Sequence, residues 1–198
     1  MVLFRKIARG LGLVRPATAP PRPWRSARPL RPLGMGDLQA IRLEGPVNQV
    51  STLAVEVALK TAEGRSIELF INSDGGDLPA ALELHWTIRR HPWRVISYVE
   101  DEASSAALLI ALAGDIRRAR ADSRMLVHRS SCAGIEGNAS DLRALSWRLD
   151  AWDLRMAALI AGRTRRPLPQ VEAWMRQEVE FSALEAKENG LVHEVEGI

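Results

Sequence analysis

Two hydrophobic periods alternate along the chain from about residue 40 onward. Short apolar runs typical of buried strands lie at 40–44, 66–72, 94–99, 116–120 and 124–128, and another run, LVHEV, comes near the end. Between these runs, apolar residues recur at every third or fourth position, which is the period of a helix packed on one side. Strands that alternate with helices predict repeated β-α-β units with right-handed crossovers, and therefore an α/β fold.

Three predicted helices begin at side chains that can cap them. Such a side chain accepts a hydrogen bond from a backbone N–H in the first helical turn. The first of these helices runs to about Arg90 and is stopped by Pro92, and the last is closed by Gly190. The capping residues are Asp77 for the first helix, Asn138 with Asp141 for a long helix, and Ser182 with Glu185 for the last.

The apolar positions of the helices predict which sides face the core. The apolar face of a helix over residues 49–62 consists of Val50, Leu53, Val57 and Ala58. The segment 100–114 is expected to start as an acidic loop and to continue as a helix that is apolar on every side and therefore buried. The long helix keeps a three-four spacing through Leu142, Leu145, Leu149, Trp152, Met156 and Leu159.

Charge divides the chain into two parts. Residues 1–36 contain eight basic side chains and no acidic one, whereas the rest of the chain holds 19 basic against 24 acidic side chains, a formal charge of −5. The overall +3 therefore comes from the N-terminal part. A nucleic-acid partner is disfavoured, because a basic footprint is expected on the folded surface that binds.

A disordered basic tail is predicted over residues 1–38 and one folded domain over residues 39–198. Six prolines within residues 15–34 favour an extended, unpacked chain. Residues 2–14 have a basic amphipathic pattern, so an organelle transit peptide or a contact with a membrane or partner surface stays open. Cys132, the single cysteine, fits a reducing compartment. A cytoplasmic location is expected, with an organelle matrix as the alternative.

Three places could carry chemistry. The turn INSDGG (71–76) lies between a strand and a helix, so its glycines would let backbone amides point at an anion, although it lacks the spacing of dinucleotide and phosphate loops. Ser104 and Ser105 lie at the start of the apolar helix. A serine there can cap the helix, or it can be a nucleophile next to free backbone amides. His128 ends an apolar strand, which is the fixed placement that a general base needs.

Five segments occur in a distinctive order: INSDGG, ASSAALLIALAG, SRMLVH, GNASDL and FSALEAKENGLVHEV. Each is modestly specific, whereas the five in order are strongly specific. Over roughly residues 40–196 they resemble the Clp protease proteolytic subunit family (ClpP), which are serine peptidases. The resemblance implies a crotonase/ClpP-like fold of repeated β-α-β units with a long handle-type helix.

The resemblance also implies a catalytic triad. Counting back from the Ala-Gly that ends the apolar helix puts the nucleophile at Ser105 rather than Ser104. The base of the S-R-x-x-x-H pattern is His128. The acid four residues before the Ser-Ala of the last helix is Glu178, with Glu180 as a possible substitute. In such a triad the imidazole takes the proton of the serine hydroxyl, and the acid orients the imidazole.

Backbone groups complete the implied site. The oxyanion donors carried over from the family are the amides of Gly76 and Ala106, with Gly75 the less favoured choice. The connection 129–137 corresponds to a segment that pairs with an extended substrate through backbone hydrogen bonds. The substrate-binding residues implied in this way are Gly75, Arg129, Ser130 and Gly134. No metal site is implied.

The implied function is a serine endopeptidase of the Clp proteolytic-subunit type, which hydrolyses peptide bonds through an acyl-enzyme. The implied partners are copies of the same chain in a single or double ring, an AAA+ ATPase unfoldase, and peptides or unfolded proteins as substrates. The chain itself would need no cofactor, and ATP would enter only through the unfoldase.

Two departures from the family pattern keep other functions open. Asp74 replaces the proline of the turn, and Ala106–Ala107–Leu108 replaces Met-Gly-Ala after the serine. A catalytically silent ring subunit is one alternative. A crotonase-type acyl-thioester enzyme is another, disfavoured because a serine, a histidine and an acid occur in the Clp order. A virus-type maturation protease would be a variant of the main function.

Overall fold

Successive strands pair in parallel to form the main sheet of this protein. The structure is a computed structural model, and it describes Leu33 and residues 38–197. The strands are β1 (Gln39–Glu44), β2 (Ile67–Ser73), β3 (Val95–Ala103), β4 (Ile116–Arg120), β5 (Arg124–Val127), β6 (Val179–Ser182) and β7 (Glu194–Glu196). The helices are α1 (Gln49–Lys60), α2 (Leu78–Arg90), α3 (Ala106–Ala111), α4 (Ala139–Thr164), α5 (Leu168–Gln177) and α6 (Ala183–Glu188).

The main sheet has the order β1-β2-β3-β4-β7, and every neighbouring pair in it is parallel. Strand β5 leaves this sheet: it pairs with the end of β3 at Glu102 and Arg124 and runs antiparallel to β6. The predicted α/β class is confirmed. The branch through β5 and β6 matters for function, because it brings the C-terminal part of the chain to the end of β3.

The predicted helix caps are present. The Asp77 carboxylate accepts the Ala80 amide at 2.9 Å, and Asn138 and Ser182 each begin a helix with a reciprocal capping box. Each cap satisfies amide groups that the first helical turn leaves without an internal partner. The local sequence therefore fixes where α2, α4 and α6 begin.

The predicted core face of α1 is wrong. Val50, Leu53 and Val57 are 79%, 57% and 50% exposed, and the helix buries Thr52, Val55 and Leu59 instead. Both sides of α1 carry apolar residues, so the helical period alone does not distinguish them. The crossover from β1 to β2 turns the side with Val55 toward the sheet.

The acidic loop predicted at the start of 100–114 is also wrong. Strand β3 continues through this segment to Ala103, and the helix covers only Ala106–Ala111. The acidic side chains stay at the surface, where Glu100 and Asp101 form ion pairs with Arg42 and Arg120. The predicted burial of the apolar helix is confirmed, since every residue from 106 to 113 is buried.

The sequence patterns did not identify α5 or β6. Pro167 precedes α5, and the helix ends at Glu178, which has a left-handed backbone.

The regularly spaced apolar residues of α4 are buried only in its C-terminal half. Leu142 is 46% exposed, whereas Met156 and Leu159 are buried. The tail predicted over residues 1–38 lies outside the described residues except for Leu33 and Leu38. Among the described helices, none has the length and apolar character to cross a bilayer.

Candidate active site

Ser105 lies in a strained turn between β3 and α3. Its backbone has φ 54° and ψ −122°, a region that non-glycine residues occupy at a cost of about 1–3 kcal/mol. The Ser105 amide donates to the Leu126 carbonyl at 2.9 Å, and the amide of Leu108 donates to the Ser105 carbonyl at 3.2 Å. A strained strand-to-helix turn of this kind exposes the serine side chain of many hydrolases.

Ser104 has a different environment. Its side chain is buried, and its hydroxyl donates to the Glu102 carboxylate at 2.6 Å. Ser105 is only half-buried, and its hydroxyl makes no hydrogen bond within the described part of the chain. Of the two adjacent serines, Ser105 is therefore the one whose hydroxyl is accessible to a substrate.

The double-glycine turn packs directly against this serine. A Cβ atom on Gly75 would lie 2.8 Å from Ser105 Cβ and 3.2 Å from the Ala106 nitrogen. Gly75 also has φ +108°, which favours glycine. The turn can approach the serine this closely only because residue 75 has no side chain.

A strap formed by residues 45–48 holds the turn from the other side. The Val47 amide donates to the Gly75 carbonyl at 2.7 Å, and the Asp77 amide donates to the Val47 carbonyl at 2.8 Å. In a trans peptide the C=O and the following N–H point in opposite directions. Because the Gly75 carbonyl points to Val47, the Gly76 amide points away from the strap.

Two backbone amides have no hydrogen-bond partner among residues 38–197: that of Gly76, in the turn that packs on Ser105, and that of Ala106, directly after Ser105. The Gly75 amide, by contrast, donates to the Ser73 hydroxyl at 3.2 Å. Ala106 is the first residue of α3, where free amides carry the positive end of the helix dipole. A pair of free amides beside a hydroxyl is the arrangement that stabilises an oxyanion.

His128 and Glu178 reach the same region through β5 and β6. His128 directly follows β5 and Glu178 directly precedes β6, and the last register pair of the two antiparallel strands is Val127 with Val179, so His128 and Glu178 are the residues that adjoin this pair. Leu126, which accepts the Ser105 amide, lies two residues before His128. Among the described residues, no hydrogen bond joins the side chains of Ser105, His128 and Glu178.

Backbone strain occurs at two of these three residues. Four non-glycine residues of the described chain have positive φ: Glu63, Ser105, Arg165 and Glu178. The 52° value at Glu178 marks the sharp end of α5 immediately before β6. Unfavourable backbone conformations persist where the surrounding structure holds them, and they concentrate at functional sites.

The remaining predicted residues lie in the segment 129–137, which we call the pairing segment. Residues 131–137 are exposed and have no regular secondary structure. Arg129 and Ser130 are bound to α4 through Asp153. Gly134 has φ +70°, and a Cβ atom on it would meet no described atom within 4 Å. The pairing segment thus follows His128, is held at Arg129 and Ser130, and then extends away from the body over residues 131–137.

Two residues that contribute to this region were not identified from the sequence. Val47 acts through its backbone, which no side-chain pattern reveals. Asp153 had a detectable signal, since it lies four residues after Leu149 and three before Met156 and is therefore a charged residue on the apolar side of α4. In the described residues, no group of three or more His, Cys, Asp or Glu side chains is arranged to hold a metal ion.

The Clp protease family model matches residues 37–197 of this chain. The chain belongs to the Clp protease family. Among curated proteins, it is 31% identical over 147 residues to the ATP-dependent Clp protease proteolytic subunit 2 of Corynebacterium glutamicum, covering 72% of this chain and 73% of that protein. The proteolytic subunit 1 of Corynebacterium jeikeium is also 31% identical, with 72% and 78% covered.

A third Clp relative comes from Streptomyces coelicolor. Its ATP-dependent Clp protease proteolytic subunit 1 is 32% identical over 133 residues, which cover 66% of this chain and 60% of that protein. The match of the Clp family model includes both branches of the sheet, from β1 to β7. The resemblance found in the sequence motifs is therefore confirmed at the level of the family.

Proposed function

We propose that this chain is a serine endopeptidase of the Clp proteolytic-subunit type. The observation that carries the proposal is the strained turn at Ser105, packed on Gly75 and flanked by the free amides of Gly76 and Ala106. The chain belongs to the Clp protease family, and the three relatives above are named as proteolytic subunits.

In the proposed mechanism the Ser105 hydroxyl attacks a peptide carbonyl carbon. His128 takes the hydroxyl proton and then donates it to the leaving amine, while Glu178 orients the imidazole and stabilises its charged form. The amides of Gly76 and Ala106 donate to the oxyanion, and one such donor is typically worth about 10²–10³ in rate. Water then hydrolyses the acyl-enzyme through the same base.

The pairing segment is the proposed binding site for the substrate backbone. Its residues 131–137 leave their N–H and C=O groups without partners in the described chain, next to the end of β5. An extended peptide can satisfy such groups by adding a strand. This mode selects for an extended, unfolded substrate more than for one particular side chain.

Assembly with copies of the same chain and with an ATPase is part of the proposal. Apolar side chains remain exposed on α1, at Val50, Leu53 and Val57, and on α4, at Leu142 and Trp147. Exposed apolar clusters are typical of contact surfaces. The subunit would need no cofactor of its own, with ATP used only by the partner. Native mass spectrometry of the full chain measures the number of subunits.

Labelling with a fluorophosphonate probe tests the proposed chemistry. The wild type and Ser104→Ala should be labelled, whereas Ser105→Ala should not. If labelling survives in Ser105→Ala and is lost in Ser104→Ala, the nucleophile is Ser104 and the assignment to Ser105 is wrong. An intact oligomer that resists labelling would favour the silent subunit, and binding of a coenzyme A ester would favour the acyl-thioester enzyme.

A further inference from the structure

Asp153 is a buried acid at the point where α4 enters the body of the protein. Residues 139–152 of α4 are exposed or only half-buried, and Asp153 is the first residue from the helix N-terminus that is buried, with 9% exposure. A carboxylate is rarely buried unless it is paired or well hydrogen-bonded. Its partners therefore indicate what the acid stabilises.

Within the described part of the chain, the partners of the Asp153 carboxylate are the first two residues of the pairing segment. One oxygen accepts the Ser130 amide at 2.7 Å and the Ser130 hydroxyl at 2.6 Å, and the other accepts Nε of Arg129 at 2.7 Å. The Ser130 hydroxyl also reaches the Leu149 carbonyl at 3.1 Å. Hydrogen bonds to a charged group are stronger than those between neutral groups.

These contacts fix the pairing segment where it leaves His128. Beyond Ser130, residues 131–137 make no hydrogen bond to the rest of the described chain. The position and direction of the segment are therefore set at its beginning, by β5 on one side and by Asp153 on the other. A strand that pairs with a peptide loses less entropy on binding when it is already held in place.

We propose that Asp153 is a positioning residue that presents the pairing segment to extended peptide substrates. This inference rests on the proposed function, because the segment needs a fixed direction only if a peptide pairs with it. Asp153 acts on substrate binding and not on the reacting atoms. Its contribution therefore grows with the length of the peptide that lies along the segment.

Asp153→Asn tests this role, and Asp150→Asn is the matched control. The amide keeps one accepting oxygen but turns an NH₂ group toward donors, so at least one of the three contacts is lost. Asp150 lies on the same helix, is exposed, and is only 3.6 Å from Nη2 of Arg129. Ser130→Ala removes the hydroxyl but keeps the amide, and it should give a smaller change in the same direction.

The measurements compare a ten-residue peptide, a dipeptide ester and a fluorophosphonate probe on the full-length protein. In Asp153→Asn, KM for the long peptide should rise about fivefold or more, while kcat, the dipeptide ester rate and the labelling rate stay within about twofold. Asp150→Asn should match the wild type. An unchanged KM in Asp153→Asn would overturn the inference, and so would an equal loss in all three measurements, because that loss indicates a general structural role.

A binding assay separates this inference from the proposed chemistry. Fluorescence anisotropy of a labelled ten-residue peptide is measured with Ser105→Ala and with Ser105→Ala combined with Asp153→Asn. Weaker binding by the double variant, about fivefold or more, supports Asp153 even if the wild type is never labelled by the probe. Equal binding by the two variants contradicts it, whatever the labelling result.

Discussion

Gly75 and Ser105 are packed so closely that the structure has no room for a side chain on Gly75. A Cβ atom there would lie 2.8 Å from both the Ser104 carbonyl oxygen and Ser105 Cβ, and the φ of +108° would strain any other residue. We expect Gly75→Ala to displace the turn from Ser105 and to reduce fluorophosphonate labelling at least tenfold. Thermal denaturation should show a folded protein that is destabilised by about 1–3 kcal/mol.

Gly64→Ala is the control for the effect of positive φ alone. Gly64 has φ +83°, but its nearest neighbour is the Trp93 ring at 3.5 Å, which is an ordinary contact distance. This substitution should lower stability by a similar amount and leave labelling unchanged. If Gly75→Ala is labelled at the wild-type rate, the close contact between Gly75 and Ser105 does not shape the active site.

The register of β5 and β6 distinguishes the two acids available to His128. Glu178 and His128 adjoin the last pair of the register, Val127 with Val179, whereas Glu180 pairs with Leu126 inside the strands. We expect Glu178→Gln to lower kcat by roughly 10²–10⁴-fold, because the amide cannot stabilise the charged imidazole. Glu180→Gln should keep nearly full activity in the same peptide assay. The reverse result would move the third member of the triad to Glu180.

His85 makes the stability of the fold sensitive to acid. It is fully buried on α2, its Nδ1 lies 2.5 Å from the Leu109 carbonyl, and its Nε2 has no partner among the described residues. Since a carbonyl only accepts, Nδ1 carries the hydrogen. Burial, aided by the positive charges of Arg163 and Arg89, lowers the pKa of His85 to about 3.

The sign of the pH effect follows from this lowered pKa. Below the ordinary pKa of 6.5, the unfolded chain binds a proton at His85 that the folded chain excludes until about pH 3. The free energy of unfolding should therefore fall as the pH drops through this range, by up to about 1.4 kcal/mol per pH unit. Urea denaturation at several pH values should give a smaller slope for His85→Asn, and an equal slope would contradict the assignment.

Arg117 stabilises the C-terminal segment without an acidic partner among the described residues. It is buried in β4, and its guanidinium donates to the carbonyls of Leu191, Gly190 and Arg163 at 2.8, 2.9 and 3.3 Å. Burial lowers its pKa to about 10. Arg117→Met leaves these carbonyls unpaired, so we expect a loss of about 2–3 kcal/mol in urea denaturation.

Arg118→Met provides the comparison on the next residue of the same strand. Arg118 is half-buried and forms ion pairs with Glu194 at 2.7 Å and Glu196 at 3.5 Å. Such pairs near the surface contribute about 1 kcal/mol or less. If Arg118→Met destabilises the protein as much as Arg117→Met does, the carbonyl contacts of Arg117 are not what holds the C-terminal segment.

Local patterns in the sequence predicted the elements whose cause is local. The caps at Asp77, Asn138 and Ser182 and the burial of the apolar helix depend on neighbouring residues, and all are present. The buried side of α1 depends on the direction of a crossover. The length of β3 depends on Arg124, whose backbone pairs with Glu102 from another strand. Those two features could not be derived from their own segments.

In the candidate site, too, features with a local cause could be predicted from the sequence and features that depend on distant parts of the chain could not. Ser105 and His128 could be selected because each lies at the end of an apolar element, although their proximity was only implied by a family resemblance. The strap at Val47 could not be found, since its contacts with Gly75 and Asp77 are made by the backbone. The role of Asp153 needs the distance to Arg129 and Ser130 in addition to its position on α4.

Cys132 offers an internal reporter for substrate binding at the pairing segment. It is the single cysteine of the chain, it is exposed, and it lies two residues after Ser130. We expect a peptide that adds a strand to residues 129–137 to cover this thiol, and a small fluorophosphonate on Ser105 to leave it uncovered. We expect a peptidyl inhibitor bound covalently to Ser105 to slow maleimide modification of Cys132 several-fold, as measured by mass spectrometry, and the small probe to leave the rate unchanged. Ser105→Ala treated with the same inhibitor should react at the unprotected rate. Equal rates with and without bound peptide in the wild type would show that the substrate follows another path.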